Sequence, residues 1–216
     1  MTDEKFGSFN LVGGTALALK IGHRRSIDID LFTTTDFDSR EISHHLSTIY
    51  NATRVQAITN GVFCFVNGIK LDVLAHKYPL LEEIEVVEGI RMVSLKDIGA
   101  MKLNAIYGNG SRLKDFVDIY VLLEHFPLQE LLEASEKKYP GNIVRSTKNS
   151  LIYFEDIDFT VPIDYIGLSI EWPVIADRLK KAFHNPQLTF GIPEVTKKLM
   201  QQIKSNTKGK NKGPKL

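Results

Sequence analysis

A chain of 216 residues is long enough for one large domain or two small ones, and its 43% hydrophobic and 25% charged residues are ordinary for a soluble globular protein. One cysteine, Cys64, rules out an internal disulfide framework, and no apolar run approaches the ~20 residues that span a bilayer. The net charge of +1 conceals an uneven distribution: residues 197–216 hold seven lysines and no acid, which leaves 20 basic against 26 acidic residues before them. The body is therefore mildly acidic. The Gly- and Pro-containing basic tail reads as disordered, and a solvated end is favoured over an arm that touches nucleic acid phosphates. The opening MTDEKFGSFN lacks the basic start and apolar stretch of a secretory signal, so a cytoplasmic location is expected.

No internal repeat is present. Residues 14–22 suit a short helix opened by Gly13-Gly14. Residues 27–33 (IDIDLFT) alternate and predict a strand, and residues 39–50 predict a helix capped by Asp38 or Ser39. TRVQAIT, VFCFV and IKLDVLA are strand-like runs separated by Asn60-Gly61 and Asn67-Gly68. Asn-Gly supplies the positive φ of a two-residue hairpin turn, so a three-strand antiparallel meander is expected. Residues 84–93 add two short strands around Glu88-Gly89. Helical character begins at Ser94, where Ser94 and Asp97 resemble a capping box. One helix runs to about Tyr107, GNGS breaks it, and a second spans about Arg112–His125. The rest, to about Asn185, reads as mostly helical with irregular pieces. Sheet first and helices second is the α+β pattern. It divides the chain into 1–93 as the core carrying the metal and phosphate sites, 94–196 as a helical part completing the pocket, and the tail 197–216.

Alternation in IDIDLF places Ile27, Ile29 and Leu31 on one face, expected to be the core face, and Asp28 and Asp30 on the other. Two neighbouring carboxylates repel each other unless a cation lies between them, and oxygen-only ligands point to Mg²⁺ or Mn²⁺ rather than zinc. In IKLDVLA, Asp72 shares a face with Lys70 and Leu74. If that strand lies beside IDIDLF, Asp72 completes a cluster of three acids; alone it reads equally well as a solvating edge residue. Gly13-Gly14-Thr15 follows an apolar run and opens a helix. Bare backbone, exposed N–H groups and a helix dipole favour a phosphate, and the Thr15 hydroxyl can donate to one; alone the motif reads as a tight turn. His44 and His45 have no partners at zinc-ligand spacing, Cys64 reads as a core thiol, and His23-Arg24-Arg25-Ser26 reads as either a phosphate contact or a solvated turn.

Taken together, LVGGTALALKIGHRRSIDIDLF resembles the signature of the DNA-polymerase-β-like nucleotidyltransferase superfamily, in particular its AbiEii/AbiGii toxin branch. The superfamily's usual Gly-Ser is Gly14-Thr15 here, as is frequent in the toxin branch. The resemblance covers roughly residues 9–125. It implies a polymerase-β-like mixed sheet with flanking helices, followed by a mostly helical C-terminal part. It also implies Mg²⁺ (or Mn²⁺) held by Asp28, Asp30 and Asp72, and a nucleoside triphosphate donor gripped at Gly13, Gly14 and Thr15. It suggests an RNA acceptor such as the tRNA 3′ end, a cognate antitoxin protein and a role in phage defence. The segment SLKDIGAMKLNAIYGNGSRLKDFVDIYVLL matches the branch's downstream motif. Lys102 stands on an otherwise apolar helix and needs a partner. Lys114, Asp115 and Asp118 share one arc of the next helix. Either Lys114 pairs with Asp118, or Asp115 pins Lys102, or Lys102 holds the donor phosphates while Lys114 and Asp115 shape the pocket; the resemblance favours the last, with Lys102 and Asp115 catalytic. The alternatives are transfer to a small molecule, as in aminoglycoside-type relatives, and a non-catalytic nucleotide-binding module. The chain begins only a few residues before the Gly-Gly-Thr turn, where relatives often carry a helical lead-in, so a compact member or a shortened start is expected.

Overall fold

In the computed structural model, which describes residues 2–191, seven strands form one mixed sheet. The basic tail at 197–216 lies outside the described residues. Strands β3 (Thr53–Ile58), β4 (Gly61–Val66) and β5 (Ile69–Ala75) form the expected antiparallel meander. At the other end β6 (Glu85–Val87) and β7 (Ile90–Met92) make a hairpin. Between them lie β1 (Asn10–Leu11) and β2 (Ile29–Thr33), antiparallel to each other; β2 runs parallel to β5, and β1 parallel to β7.

The turns follow local chemistry, with one shift. Asn67-Gly68 and Glu88-Gly89 each have both central residues at positive φ, as a type I′ hairpin requires. The first turn sits one residue earlier than Asn60-Gly61 suggests: Ile58 pairs with Gly61, so the turn is Thr59-Asn60, and only Asn60 has positive φ. A side chain at Gly61 would lie 2.8 Å from Ile58 Cγ1 and 3.0 Å from Leu74 Cδ2, so glycine serves close strand packing there. Ile27 also departs from expectation. The strand begins only at Ile29, and Ile27 is 71% exposed rather than in the core.

Helix α1 (Gly13–Ile21) follows β1, and α2 (Ser39–Ile49) is capped by the Asp38 carboxylate, which accepts from the Arg40 and Glu41 amides. The C-terminal half supplies α3 (Leu95–Gly108), α4 (Leu113–Leu122), α5 (Leu128–Lys138), α6 (Val144–Ser150) and α7 (Trp172–His184). Only half of the capping box forms at α3. Ser94 Oγ accepts from the Asp97 amide, but the buried Asp97 carboxylate turns to the Leu81 and Glu82 amides and to Lys138 Nζ at 2.7 Å. It thereby pins the segment after β5 across α3 and α5.

One apolar core runs from the sheet into the helices, with Leu11, Leu31, Leu71 and Val73 meeting Ile98, Leu103, Phe116 and Ile119 in a single cluster. Burying each such side chain stabilises by about 1.5–3 kcal/mol. Helix α4 is buried nearly all round, so its two aspartates, Asp115 and Asp118, are fully enclosed and need counter-charges. No helix among the described residues is long and apolar enough to cross a membrane.

Candidate active site

The β1–α1 turn is built by two close approaches. Gly13 has φ +70°, and a Cβ there would stand 2.5 Å from Asp30 Oδ2. A Cβ at Gly14 would stand 2.5 Å from Arg24 Nη2. Bare backbone at the helix start thus faces a carboxylate on one side and a guanidinium on the other. The Thr15 side chain points elsewhere. Its hydroxyl donates to the Asp28 carbonyl and lies 3.0 Å from Ser26 Oγ, which ties the helix to the loop before β2. Gly13 and Gly14 line the cleft beside the sheet; Thr15 lines a groove on the opposite face.

The parallel pairing of β2 with β5 sets Asp30 directly beside Asp72. Burial, then the Asp72 carboxylate alongside, pushes the Asp30 carboxyl above its ordinary range. Asp72 pairs with Lys70 through Oδ2, while Oδ1 is buried with no hydrogen-bond partner. Asp28 lies just before the strand with its side chain 44% exposed, and Lys114 Nζ is 4.0 Å from its Oδ2. Among the described residues no three His, Cys, Asp or Glu side chains are gathered closely enough to enclose a metal. The donor chemistry nevertheless fits a hard divalent cation: two adjacent carboxylates, one destabilised as an anion and one with an orphaned oxygen, are what such an ion relieves. Cys64, on β4, is buried, as a core thiol should be.

Facing the strands is a buried ionic hub. Lys102 Nζ lies 2.8 Å from Asp115 Oδ1 and 2.7 Å from Asp118 Oδ2. Asp115 also binds Arg112 Nε at 2.7 Å. Asp118 accepts from Arg24 Nε at 2.7 Å and Nη2 at 2.9 Å, and His23 Nε2 is 2.9 Å away. Burial alone would raise the Asp118 carboxyl, but Lys102, His23 and Arg24 outweigh it and hold it far below the usual carboxylate range. Burial likewise opposes the Lys102 charge, and Asp118 and Asp115 overcome it, so its affinity for a proton is raised. Two sequence readings change here. Lys114 does not pair with Asp118 but reaches toward Asp28, and Arg24 is no solvated turn residue, being 4% exposed. Asp115 does pin Lys102, and Asp118 shares it.

Of these groups Arg24, Lys102, Arg112 and Lys114 line one end of a cleft of about 290 Å³. The other end is aromatic. Phe32, two residues beyond Asp30 on the same face of β2, stacks 5.3 Å from His76, whose Nε2 meets the Tyr139 hydroxyl at 3.1 Å. Sequence reasoning passed over this end, because its rings are scattered along the chain and share no spacing. Burial, then nearby Lys138, lowers the His76 pKa to about 4, leaving a neutral ring at physiological pH.

A helix start with bare backbone facing paired aspartates, on a mixed sheet opposed by a cationic helical wall, suits the handling of a nucleoside triphosphate, and the chain is a nucleotidyltransferase. The chain matches the family of the nucleotidyl transferase AbiEii toxin of type IV toxin–antitoxin systems over residues 1–142, and it belongs to that family. It is 37% identical to an uncharacterized protein of Aquifex aeolicus (strain VF5) over 154 residues, covering 68% of this chain and 74% of that protein. A crystal structure of a candidate nucleotidyltransferase from H. pylori matches with a TM-score of 0.53 and 19% identity, over 83% of this chain and 86% of that one; at that identity the likeness speaks for the fold alone.

Proposed function

We propose that this enzyme moves a nucleoside monophosphate from a nucleoside triphosphate, bound with Mg²⁺, to a hydroxyl group of RNA, with the tRNA 3′ end as the leading acceptor, and that this transfer is its toxic activity, countered in the cell by an antitoxin partner. The observation that carries the reading is the pairing of Asp30 with Asp72 beneath the Gly13-Gly14 turn, with Asp72 Oδ1 buried and unpaired. Asp28, Asp30 and Asp72 would hold the divalent ion, which supplies charge neutralisation to the triphosphate and acidity to the attacking hydroxyl.

The rest is done by the chain itself. Backbone N–H groups at the start of α1 hold phosphate oxygens. Asp72 accepts the proton of the acceptor hydroxyl as its oxygen bonds to the α-phosphorus, and the bond to the bridging oxygen breaks to release pyrophosphate. Lys102 retains ammonium capacity beyond its two carboxylates, and Lys114, with its side chain 40% exposed, stands at the cleft to balance the leaving charge. Arg25 and Arg112, with side chains 73% and 50% exposed, give this region cations suited to an RNA backbone.

The test is incubation of the purified chain with total RNA, Mg²⁺ and each α-labelled nucleoside triphosphate. Label is expected in a discrete RNA species, lost with EDTA and with Asp30→Asn. Undiminished transfer by Asp30→Asn overturns the assignment, and label in a low-molecular-mass product instead of RNA overturns the acceptor.

A further inference from the structure

A nucleotide has two chemically unlike ends, and so does this cleft. Its charged end gathers the Gly13-Gly14 turn, Asp28, Asp30 and Lys102; its aromatic end gathers Phe32, His76 and Tyr139. Strand alternation sets the spacing, since Phe32 follows Asp30 by one pleat repeat, about 7 Å along the strand. A group anchored by its phosphates at Asp30 therefore extends its remaining part over the rings.

Helix α3 closes this space with Met101, Asn104 and Ala105, which share one face at positions i, i+3 and i+4. Asn104 is the one amide among the cleft-lining side chains, and it is oriented. Asn142 Nδ2 donates to Asn104 Oδ1 at 2.7 Å, which occupies the oxygen and leaves Asn104 Nδ2 with no hydrogen bond to any described residue. A half-buried N–H donor held in place in the same cleft as aromatic rings is how proteins read the edge of a stacked base.

We propose, resting on the transfer reading above, that the aromatic end is the nucleobase subsite of the donor nucleotide, and that Asn104 selects among nucleoside triphosphates by donating its amide N–H to an acceptor atom on the base edge. Phe32 and the His76–Tyr139 pair supply the stacking surface. Asn142 is a positioning residue that fixes which end of the Asn104 amide faces the base.

The experiment measures binding of the α,β-methylene analogues of ATP, GTP, CTP and UTP, each with Mg²⁺, by calorimetry to the full chain and to Asn104→Leu and Asn104→Asp. Asn104 is only partly buried, and a melting curve for each variant checks that it is folded. The wild type is expected to rank the four analogues. Asn104→Leu narrows the spread by about three- to tenfold, the worth of one hydrogen bond. Asn104→Asp, which exchanges a donor for an acceptor, reorders the ranking toward bases that present an amino or imino hydrogen. An unchanged ranking in both variants overturns the inference, as does equal wild-type affinity for all four, and either result leaves the transfer reading standing. Failure of the wild type to bind any analogue overturns both.

Discussion

Replacing Asp118 by asparagine keeps the shape of the side chain and removes its charge at the point where three positively chargeable groups converge. Asp118 is fully buried, and Lys102 Nζ, Arg24 Nε and His23 Nε2 lie 2.7, 2.7 and 2.9 Å from its oxygens. Lys102 retains Asp115, but Arg24 retains no carboxylate, and stripping one partner from a buried pair costs about 3–5 kcal/mol. For a chain of this size that is a fall in Tm of roughly 6–20 °C. Urea unfolding at pH 7 measures it. The pH dependence has a definite sign. The folded carboxyl lies below its unfolded value, so its stabilisation is present above about pH 4 and is lost as pH falls from there toward the folded pKa. The gap between wild type and variant is therefore flat from about pH 8 to 5 and closes on further acidification. A gap below about 1 kcal/mol at pH 7, or one that widens toward pH 4, refutes the ionic hub as described.

Three further outcomes are expected. Gly13→Ala, at φ +70° and with its Cβ 2.5 Å from Asp30 Oδ2, costs about 1–2 kcal/mol of stability and about 100-fold in label transfer, whereas Gly22→Ala, at φ +74° with nothing within 4 Å, costs similar stability and leaves transfer intact. Asp30→Asn relieves the repulsion with Asp72, so without metal it melts at or above the wild-type temperature; Mg²⁺ then raises the wild-type Tm and leaves the variant's unchanged. The His76 pKa is lowered from 6.5 to about 4, so its contribution is present above pH 6.5 and is lost as pH falls toward 4; a urea midpoint series over that range is less steep in His76→Gln, and equal slopes contradict the neutral buried ring.

Local signals were legible in the sequence wherever a periodicity or a turn residue governed structure. IKLDVLA announced its alternation, IDIDLF did so from Ile29 onward but not at Ile27 and Asp28, Asn67-Gly68 announced its turn, and Asp38 its cap. The lateral order of the strands was not legible, because the pairing of β2 with β5, which unites Asp30 and Asp72, is made by residues 42 positions apart. The same limit hid Arg24, whose partner lies 94 residues along the chain; before that partner is known, His-Arg-Arg reads as a solvated turn. The end of the cleft at Phe32, His76 and Tyr139 carries no spacing at all and emerges only from packing.

The distance between Arg24 and Asp118 also bears on synthesis. A ribosome delivers residues in order, at about 5–20 per second, with N-terminal parts able to fold first. A nascent chain that has exposed the Gly-Gly-Thr turn, Asp28 and Asp30 still lacks α4, the counter-charge for Arg24 and Lys102 and one wall of the cleft. The site of this nucleotidyltransferase can therefore be complete only after α4 has been made, and a message broken before the codon for Asp118 yields a product bearing the family signature without the completed site.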